Sequence, residues 1–140
     1  QARTWMGCVA AGIAQRGMEE AIAYGKERIQ FGKPIIKNQA IQFKIADMEI
    51  KIETARQMVA HSLTLMDMGL PHTKESAIAK CYASDIAMEV ASEAIQIFGG
   101  YGYSREYPVE KLLRDAKIFQ IFEGTNEIQR IVIANNTIGR

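Results

Sequence analysis

The 140-residue sequence contains 17 Lys and Arg against 16 Asp and Glu, so its net charge is close to zero. This balance argues against nucleic acid as the main partner, because neutralising phosphates requires a basic face. The length suits one domain with a substantial core, and no apolar run approaches the length of a membrane span, which predicts a soluble protein without membrane contact.

Two cysteines, Cys8 and Cys81, fall inside apolar helical patterns without a CxxC motif or a histidine-rich neighbourhood. We therefore expect core thiols in a reducing cytosol, no disulfide and no metal site. The sequence shows no signal-peptide architecture. It begins QARTWMG, without an initiator Met and already in a helical pattern, which predicts a fragment of a longer protein.

The first predicted helix runs from about Ala2 to Arg28, a stretch without proline. The break that follows is IQFGKPI, where Gly32 and Pro34 predict a turn. The predicted buried face combines apolar residues with small ones that allow a neighbouring helix to approach closely: Met6, Val9, Ala10, Ile13, Gly17 and Ala21.

A second helix is predicted from a cap at Asn38 to about Met68, with apolar residues recurring at spacings of three and four. Its end is marked by GLPHT, in which Gly69 serves as C-cap and Thr73 can cap the next helix, while His72 is expected at the surface. The predicted core stripe is Ile41, Ile45, Met48, Ile52, Ala55, Val59, Leu63 and Met66.

The third helix is predicted over Lys74–Phe98 and ends at two glycines. The following loop, GGYGYSREYP, is only a weak phosphate-loop signal because it follows a helix and lacks the P-loop Lys-Ser/Thr. Pro108 fits the first position of a short helix through about Lys117. The predicted buried face of the third helix is Ile78, Cys81, Tyr82, Ile86, Val90, Ala94 and Ile97.

No strand alternation and no internal repeat appear in the sequence. Long amphipathic helices joined by short turns predict an all-α fold, an up-and-down helical bundle. The last helix is predicted to begin at an N-cap, Thr125, and to end by Asn135 or Asn136.

The stretch RDAKIFQIFEGTNEIQR presents one acidic side chain, Glu123, between an apolar run and the start of the last helix. A carboxylate enclosed by aromatic and aliphatic neighbours loses hydration and becomes a candidate proton acceptor. From the residues alone, a capping or dipole role for Glu123 at the helix start is the commoner alternative. Gly124 relaxes the backbone and leaves space beside the carboxylate.

Two stretches, ERIQFGKPIIKNQAIQFKIADM and FGGYGYSREYPVEKLLRDAKIFQIFEGTNEIQR, resemble the acyl-CoA dehydrogenases, FAD enzymes that desaturate acyl-CoA thioesters between the α and β carbons. The resemblance covers essentially the whole chain. It implies that residues 1–140 form the family's C-terminal four-helix bundle, whose N-terminal α-domain and middle β-domain are absent here. It also implies that Glu123, in the family's (Y/F)EGT motif, is the catalytic base.

The resemblance implies further roles for residues at matching positions. Arg28 of the ERxxFGK pattern would contact the FAD pyrophosphate, although by itself it reads as a C-terminal charge on a helix dipole. Arg3 and Gly124 would lie on the substrate side. The other implied FAD contacts, some of them to the cofactor of a neighbouring subunit, are Gln30, Phe31, Asn38, Gln39, Gln96, Gly99, Gly100, Thr125 and Glu127.

The acidic residue before Gly-Thr favours a straight short-chain substrate of the butyryl-CoA type. Isovaleryl-CoA and long-chain members of the resembled family place their base elsewhere, whereas glutaryl-CoA dehydrogenases also keep this Glu and remain an alternative. The resemblance further implies an electron-transfer flavoprotein as partner, a homotetramer, and a bacterial cytoplasmic or mitochondrial matrix location. A second alternative is a helical module without activity that covers the cofactor and mediates oligomerisation.

Overall fold

Five α-helices make up most of the structure, a computed structural model that describes residues 2–139. The all-α prediction is confirmed, because the remaining regular structure is two short 3-10 segments and one small hairpin in the part of the chain described. The helices are α1 (Ala2–Glu27), α2 (Gln39–Asp67), α3 (Thr73–Phe98), α4 (Val109–Ile118) and α5 (Asn126–Ile138), and the 3-10 segments are Ile35–Lys37 and Gly99–Tyr103.

Helix α3 is the centre of the bundle and packs against each of the other four helices. Its buried side is rich in alanine, which lets neighbouring helices approach closely. Helix α1 runs parallel to α3, and α2 runs antiparallel to both, as the predicted up-and-down arrangement requires. None of the helices within residues 2–139 combines the length and the apolarity needed to cross a membrane.

The face of α1 that meets α3 is built from glycine and alanine. A Cβ added at Gly7 would lie 3.1 Å from the carbonyl oxygen of Ala79, and one at Gly17 would lie 3.7 Å from the Cβ of Ala94. Val9, expected on the buried face, is instead 49% exposed, because a contact this close admits only small side chains. The buried residues of α1 are Thr4, Gly7, Ala10, Ala11, Ala14, Gly17, Met18, Ala21 and Gly25.

Helix α2 contributes larger apolar side chains to the core. The predicted stripe is buried at its middle, where Met48, Ile52, Ala55 and Val59 lie, and is partly exposed toward both helix ends. Two ion pairs, Lys44 with Glu93 and Lys51 with Glu89, join α2 to α3 at the rim of this contact. Because surface pairs of this kind contribute about 0–1 kcal/mol each, apolar packing dominates the α2–α3 interface.

Three buried hydroxyls connect α1, α2 and α3 near one end of the bundle. Thr4 Oγ1 lies 2.9 Å from Ser62 Oγ and donates to Ser76 Oγ at 3.0 Å, and the two serine hydroxyls are 3.0 Å apart. His72 Nδ1 lies 2.8 Å from Ser76 Oγ, so the loop residue predicted at the surface is half-buried and hydrogen-bonded. Each hydroxyl is thereby paired despite its burial.

A small hairpin, with strands of two residues each, lies between α1 and α2, where the sequence predicted only a turn. Strand β1 (Ile29–Gln30) pairs antiparallel with β2 (Lys33–Pro34). The two linking residues, Phe31 and Gly32, have φ values of 51° and 78°, as a type I′ hairpin requires. Strands of two residues are too short to show alternation, which is why the pattern did not predict them.

The helix ends agree with the predicted caps in part. Thr125 is the N-cap of α5, and its hydroxyl accepts from the Ile128 backbone N–H at 3.4 Å. Asn38 occupies the N-cap position of α2, but its side chain makes no capping hydrogen bond. Thr73 was wrongly expected to cap α3, since it is the first residue of that helix and His72 precedes it.

Several boundaries differ slightly from the sequence prediction. Helix α1 stops at Glu27, one residue before Arg28, and α5 continues to Ile138, where Gly139 adopts a φ of 83° and ends it. Gly69, just past the end of α2, has a φ of 66°, the left-handed conformation expected for a glycine at that place.

The glycines of α1 provide a test of the close α1–α3 contact. Replacing Gly12 with alanine should raise the free energy of unfolding by about 0.5–1 kcal/mol, because alanine is the better helix former and the new Cβ meets nothing within 4 Å. Replacing Gly7 should lower it by about 1–3 kcal/mol, since the Cβ is forced against Ala79 and Val59. Urea denaturation of the two variants measures the difference, and equal shifts would contradict the packing described.

Candidate active site

Glu123 lies in a strained turn between α4 and α5. Its φ is 55° and that of Gly124 is 88°, so two consecutive residues occupy the left-handed region. A non-glycine residue seldom adopts this conformation unless its surroundings enforce it. The turn is short because Phe119 packs edge-on against Phe122, with 5.1 Å between ring centroids, and Thr125 then starts α5 at once.

Glu123 lines a cavity of about 270 Å³ at the N-terminal ends of α1 and α3. Arg3 and His72 also line this cavity. Glu123 itself is exposed, so the expectation that aromatic and aliphatic neighbours enclose it is wrong for the described residues of this chain. The apolar run before it packs elsewhere: Phe119 is buried against the core, while Ile121 and Phe122 are exposed.

Two buried side chains donate hydrogen bonds to the backbone of this turn. Lys80 Nζ donates to the Gly124 carbonyl oxygen at 2.8 Å, and Gln129 Nε2 donates to the same oxygen at 2.9 Å. Gln129 Nε2 also lies 3.4 Å from the Glu123 carbonyl oxygen. We call Lys80 and Gln129 the carbonyl clamp.

The carbonyl clamp belongs to a larger buried polar network. Asn126 accepts from Lys80 Nζ at 2.8 Å and donates to Ser84 Oγ at 2.8 Å and to Asp85 Oδ1 at 2.7 Å. Arg130 donates to the other oxygen of Asp85 at 2.7 Å. Desolvation lowers the pKa of Lys80 below its usual range, because its ammonium group is buried.

The sequence patterns did not predict a role for Lys80, Asn126 or Gln129. A signal for Lys80 was nevertheless present: it shares one helical face with Ser76, Ala83 and Ala87 at spacings of three and four, a face otherwise made of small residues. A lysine on such a face must either disrupt the packing or find buried acceptors.

A second cavity, of about 500 Å³, lies at the opposite end of the α1–α3 pair. It brings together four residues that the sequence implied as cofactor contacts, Arg28, Gln30, Gly99 and Gly100. The Arg28 guanidinium lies over the Tyr101 ring, 5.3 Å from its centroid. We call this space the Arg28 cavity.

Aromatic rings form the floor of the Arg28 cavity. Tyr24 stacks on Phe98 with 4.1 Å between centroids, and Tyr107 packs edge-on against Tyr24 at 5.9 Å. Burial raises the pKa of Tyr24. The cavity therefore offers a planar cation above an apolar aromatic surface, an arrangement that suits a ligand carrying both phosphate and a ring.

The remaining implied cofactor residues do not line the Arg28 cavity. Phe31 is 97% exposed at the hairpin tip, and Gln96 and Gln39 are exposed on helix surfaces. Asn38 is half-buried at the start of α2. These four residues line none of the cavities described here, so within residues 2–139 they form no common site.

Thr125 and Glu127 line a third cavity, of about 440 Å³, together with Asp85 and Arg130. Hydrogen bonds from its own backbone N–H and from the Thr125 hydroxyl lower the pKa of Glu127. The cysteines lie away from these cavities: Cys81 is buried, with its thiol pKa raised by desolvation, and Cys8 is only half-buried, so it is not the core thiol expected. Across residues 2–139, no group of three His, Cys, Asp or Glu side chains could hold a metal ion.

Comparison with known proteins places the chain among enzymes of one family. A short-chain-specific acyl-CoA dehydrogenase of Megasphaera elsdenii is 55% identical over 123 residues, which covers 88% of this chain and 32% of the relative. The solved butyryl-CoA dehydrogenase of the same organism superposes with a TM-score of 0.96 at 51% identity, covering 97% of this chain and 36% of that one.

A chain in a structure of the electron transferring flavoprotein of Acidaminococcus fermentans superposes with a TM-score of 0.97 at 49% identity, covering 99% of this chain and 36% of that one. The present chain thus spans about a third of the length of the proteins it matches. The family model described as "Acyl-CoA dehydrogenase, C-terminal domain" matches residues 1–138. The chain therefore belongs to the acyl-CoA dehydrogenase family, within which it corresponds to the C-terminal domain.

Proposed function

We propose that the chain is the C-terminal domain of an FAD-dependent enzyme that forms a double bond between the α and β carbons of a short-chain acyl-CoA, with Glu123 as the base. The observation that carries the proposal is the placement of Glu123. Glu123 is the acidic residue of the FEGT sequence and lies in a strained turn. A buried lysine donates a hydrogen bond to the backbone of that turn, and Glu123 lines a cavity. The 55% identity to a short-chain-specific relative supports a butyryl-type substrate.

The task of Glu123 would be to remove a proton from the carbon α to the thioester carbonyl. Within residues 2–139 no hydrogen bond or salt bridge engages its carboxylate, which leaves both oxygens free to take a proton. The exposure of this side chain means that water must be excluded by the bound thioester and by the two domains that we propose precede this one. A dry, oriented carboxylate is a far better base toward carbon than a hydrated one.

The residues of the Arg28 cavity fit the proposed FAD. The Arg28 guanidinium can hold phosphate oxygens by charged hydrogen bonds. A Cβ added at Gly99 or Gly100 meets nothing within 4 Å, so the backbone there is open to a close approach by a ligand. When bound, FAD supplies the acceptor for the hydride that leaves the β carbon.

The implied cofactor residues lie in two regions of the bundle, and we propose that each serves a different flavin. Arg28, Gln30, Gly99 and Gly100 share one cavity, whereas Thr125 and Glu127 lie beside the Glu123 turn. Such a division supports a homotetramer in which one bundle contacts the flavins of two subunits. We assign Phe31, Asn38, Gln39 and Gln96, of which all but the half-buried Asn38 are exposed, to such contacts between subunits.

Two further assignments concern the substrate and the electron acceptor. Arg3 lines the same cavity as Glu123, so we propose that it contacts the acyl-CoA. We also propose that Gly124, next to Glu123 in the chain, leaves space for the thioester. An electron-transfer flavoprotein is the proposed acceptor, supported by the likeness to a chain in the Acidaminococcus fermentans structure. A module that only covers the cofactor is the alternative outcome of the experiments below.

Exposed apolar side chains on two helices predict self-association of the 140-residue chain. Phe43 and Ile50 on α2 are 61% and 64% exposed, and Ile128 and Ile131 on α5 are 47% and 55% exposed. In sedimentation equilibrium, the average mass should rise with protein concentration. The double variant Ile50→Lys, Ile131→Lys should show a smaller rise, because the added charges oppose burial of these faces. A monomer at all concentrations would contradict the proposed assembly.

Replacing Arg28 with alanine in a full-length enzyme that contains this chain should weaken FAD retention. A lost charged hydrogen bond to phosphate is worth about 1.5–3 kcal/mol, or roughly 10- to 150-fold in affinity. Flavin content after dialysis measures the loss. Arg16→Ala is the matched control, because Arg16 lies on α1, the helix that ends just before Arg28, and pairs with Glu20 at the surface. Equal flavin content in both variants would refute the role of Arg28.

Replacing Glu123 with glutamine in the same enzyme should leave acyl-CoA binding intact and abolish α-proton removal. We expect single-turnover flavin bleaching by butyryl-CoA to slow by about 10²–10⁴ or more, because the amide has no basic oxygen. A mere capping role predicts instead a stability loss of about 0.3–1 kcal/mol with bleaching intact. Glu106→Gln, in an exposed loop, is the control, and bleaching by Glu123→Gln at the control rate would remove the proposed mechanism.

A further inference from the structure

The carbonyl clamp concentrates two unusual buried groups on one short piece of backbone. Lys80 and Gln129 are both 0% exposed. Between them they donate three hydrogen bonds to the carbonyl oxygens of Glu123 and Gly124, at 2.8, 2.9 and 3.4 Å. They come from different helices, α3 and α5, and converge on the carbonyl oxygen of Gly124.

Each member of the carbonyl clamp carries a buried polar group whose environment lowers the free energy of unfolding. The buried Lys80 ammonium contacts two neutral acceptors, the Gly124 carbonyl and the Asn126 side-chain oxygen, and no carboxylate of residues 2–139 is in direct contact with it. Gln129 directs its amide N–H groups to the turn, while its Oε1 is buried without a partner among the described residues. Buried ammonium groups and unpaired oxygens both cost free energy, so their convergence on the same carbonyls requires an explanation.

The backbone of the turn supplies the explanation. Glu123 has a φ of 55°, a conformation that a non-glycine residue retains only when neighbouring groups over-determine it. Lys80 and Gln129 donate hydrogen bonds to the carbonyl oxygens of the turn. Glu123, whose backbone they hold, lines the same cavity as Arg3. Gly124 is constrained by the same contact, because a Cβ there would lie 2.7 Å from Gln129 Nε2.

We infer that Lys80 and Gln129 are positioning residues for the reaction, holding the Glu123–Gly124 backbone so that the Glu123 carboxylate reaches the α carbon of the substrate. The inference rests on the proposed function. It assigns a kinetic role to two buried residues that do not themselves line the candidate substrate cavity. Loss of either donor should let the turn relax and withdraw the carboxylate without removing it.

The test uses Lys80→Met and Gln129→Met in the full-length enzyme, which keep side-chain length and remove the donors. Both variants should retain FAD and bind butyryl-CoA within about threefold of wild type, while flavin reduction in a single turnover slows by roughly 10- to 100-fold. Lys111→Met and Gln57→Met are the matched controls, since these side chains make only surface contacts with Asp115 and Glu53. Wild-type reduction rates in either clamp variant, with acyl-CoA bound, would overturn the inference.

Isotope effects separate a positioning role from a general loss of stability. Misplacing the base slows the step that removes the proton, so the kinetic isotope effect with α-dideuterated butyryl-CoA should rise above that of wild type, and the effect with β-dideuterated substrate should rise with it where the hydride leaves in the same step. A purely structural role would lower the melting temperature or the active fraction and leave both isotope effects unchanged, which would also overturn the inference. Faster amide hydrogen exchange over residues 121–127 is expected as a readout that needs no turnover.

Two further variants keep the outcome decisive. If the methionine variants do not fold, Gln129→Asn takes their place, because it retracts the amide by one methylene and keeps its chemistry. Glu123→Gln, measured in parallel, tests the proposed function separately. Flavin bleaching at the wild-type rate in Glu123→Gln would refute the proposed function. Loss of bleaching in Glu123→Gln, together with wild-type rates in the clamp variants, would refute only the positioning role.

Discussion

The close contact between α1 and α3 is the constraint on which the rest of the structure depends. Glycine and alanine on both helices let them run parallel at short range, and α1 extends for about 39 Å by its 26 residues. Each end of this pair carries one cavity, with Arg3 near the start of α1 and Arg28 just past its end. The spacing of the two candidate sites is therefore fixed by helix length and by small side chains, not by the loops that line them.

The fold was predictable where burial follows from hydrophobic period. On α2, side chains such as Met48 and Ile52 recur at helical spacing and are buried as expected. Prediction failed for Val9 because side-chain volume, and not hydropathy, decides which residue enters a tight helix contact. The turn at Gly32 was predicted, but the strand pairing on either side of it was not, because a hairpin with two-residue strands leaves no periodic trace in the sequence.

The candidate site was predictable only where a short local motif marks it. The FEGT sequence identified Glu123, and Thr125 capped α5 as its chemistry suggests. Lys80 carries only the weak signal of a face of small residues, and Gln129 carries none, because a long polar side chain is usually at the surface and its burial depends on a tertiary partner. For Lys80 that partner, Gly124, lies 44 residues away in the chain. The expected apolar enclosure of Glu123 failed for a related reason, since the packing of Phe119 turns that part of the run toward the core.

At Glu123 a backbone held by hydrogen bonds carries an exposed side chain, so this chain meets one requirement of a base, its orientation, and not the other, the exclusion of water. Orientation is supplied within this chain, because buried donors hold the turn in a conformation that glutamate would otherwise avoid. Exclusion of water is not supplied within the described residues, because nothing in them covers the carboxylate. In the proposed reaction, Glu123 would therefore be oriented in advance and would lose its water only on closure. The low dielectric that would strengthen it as a base would come from the bound thioester and from the two domains that we propose precede this one.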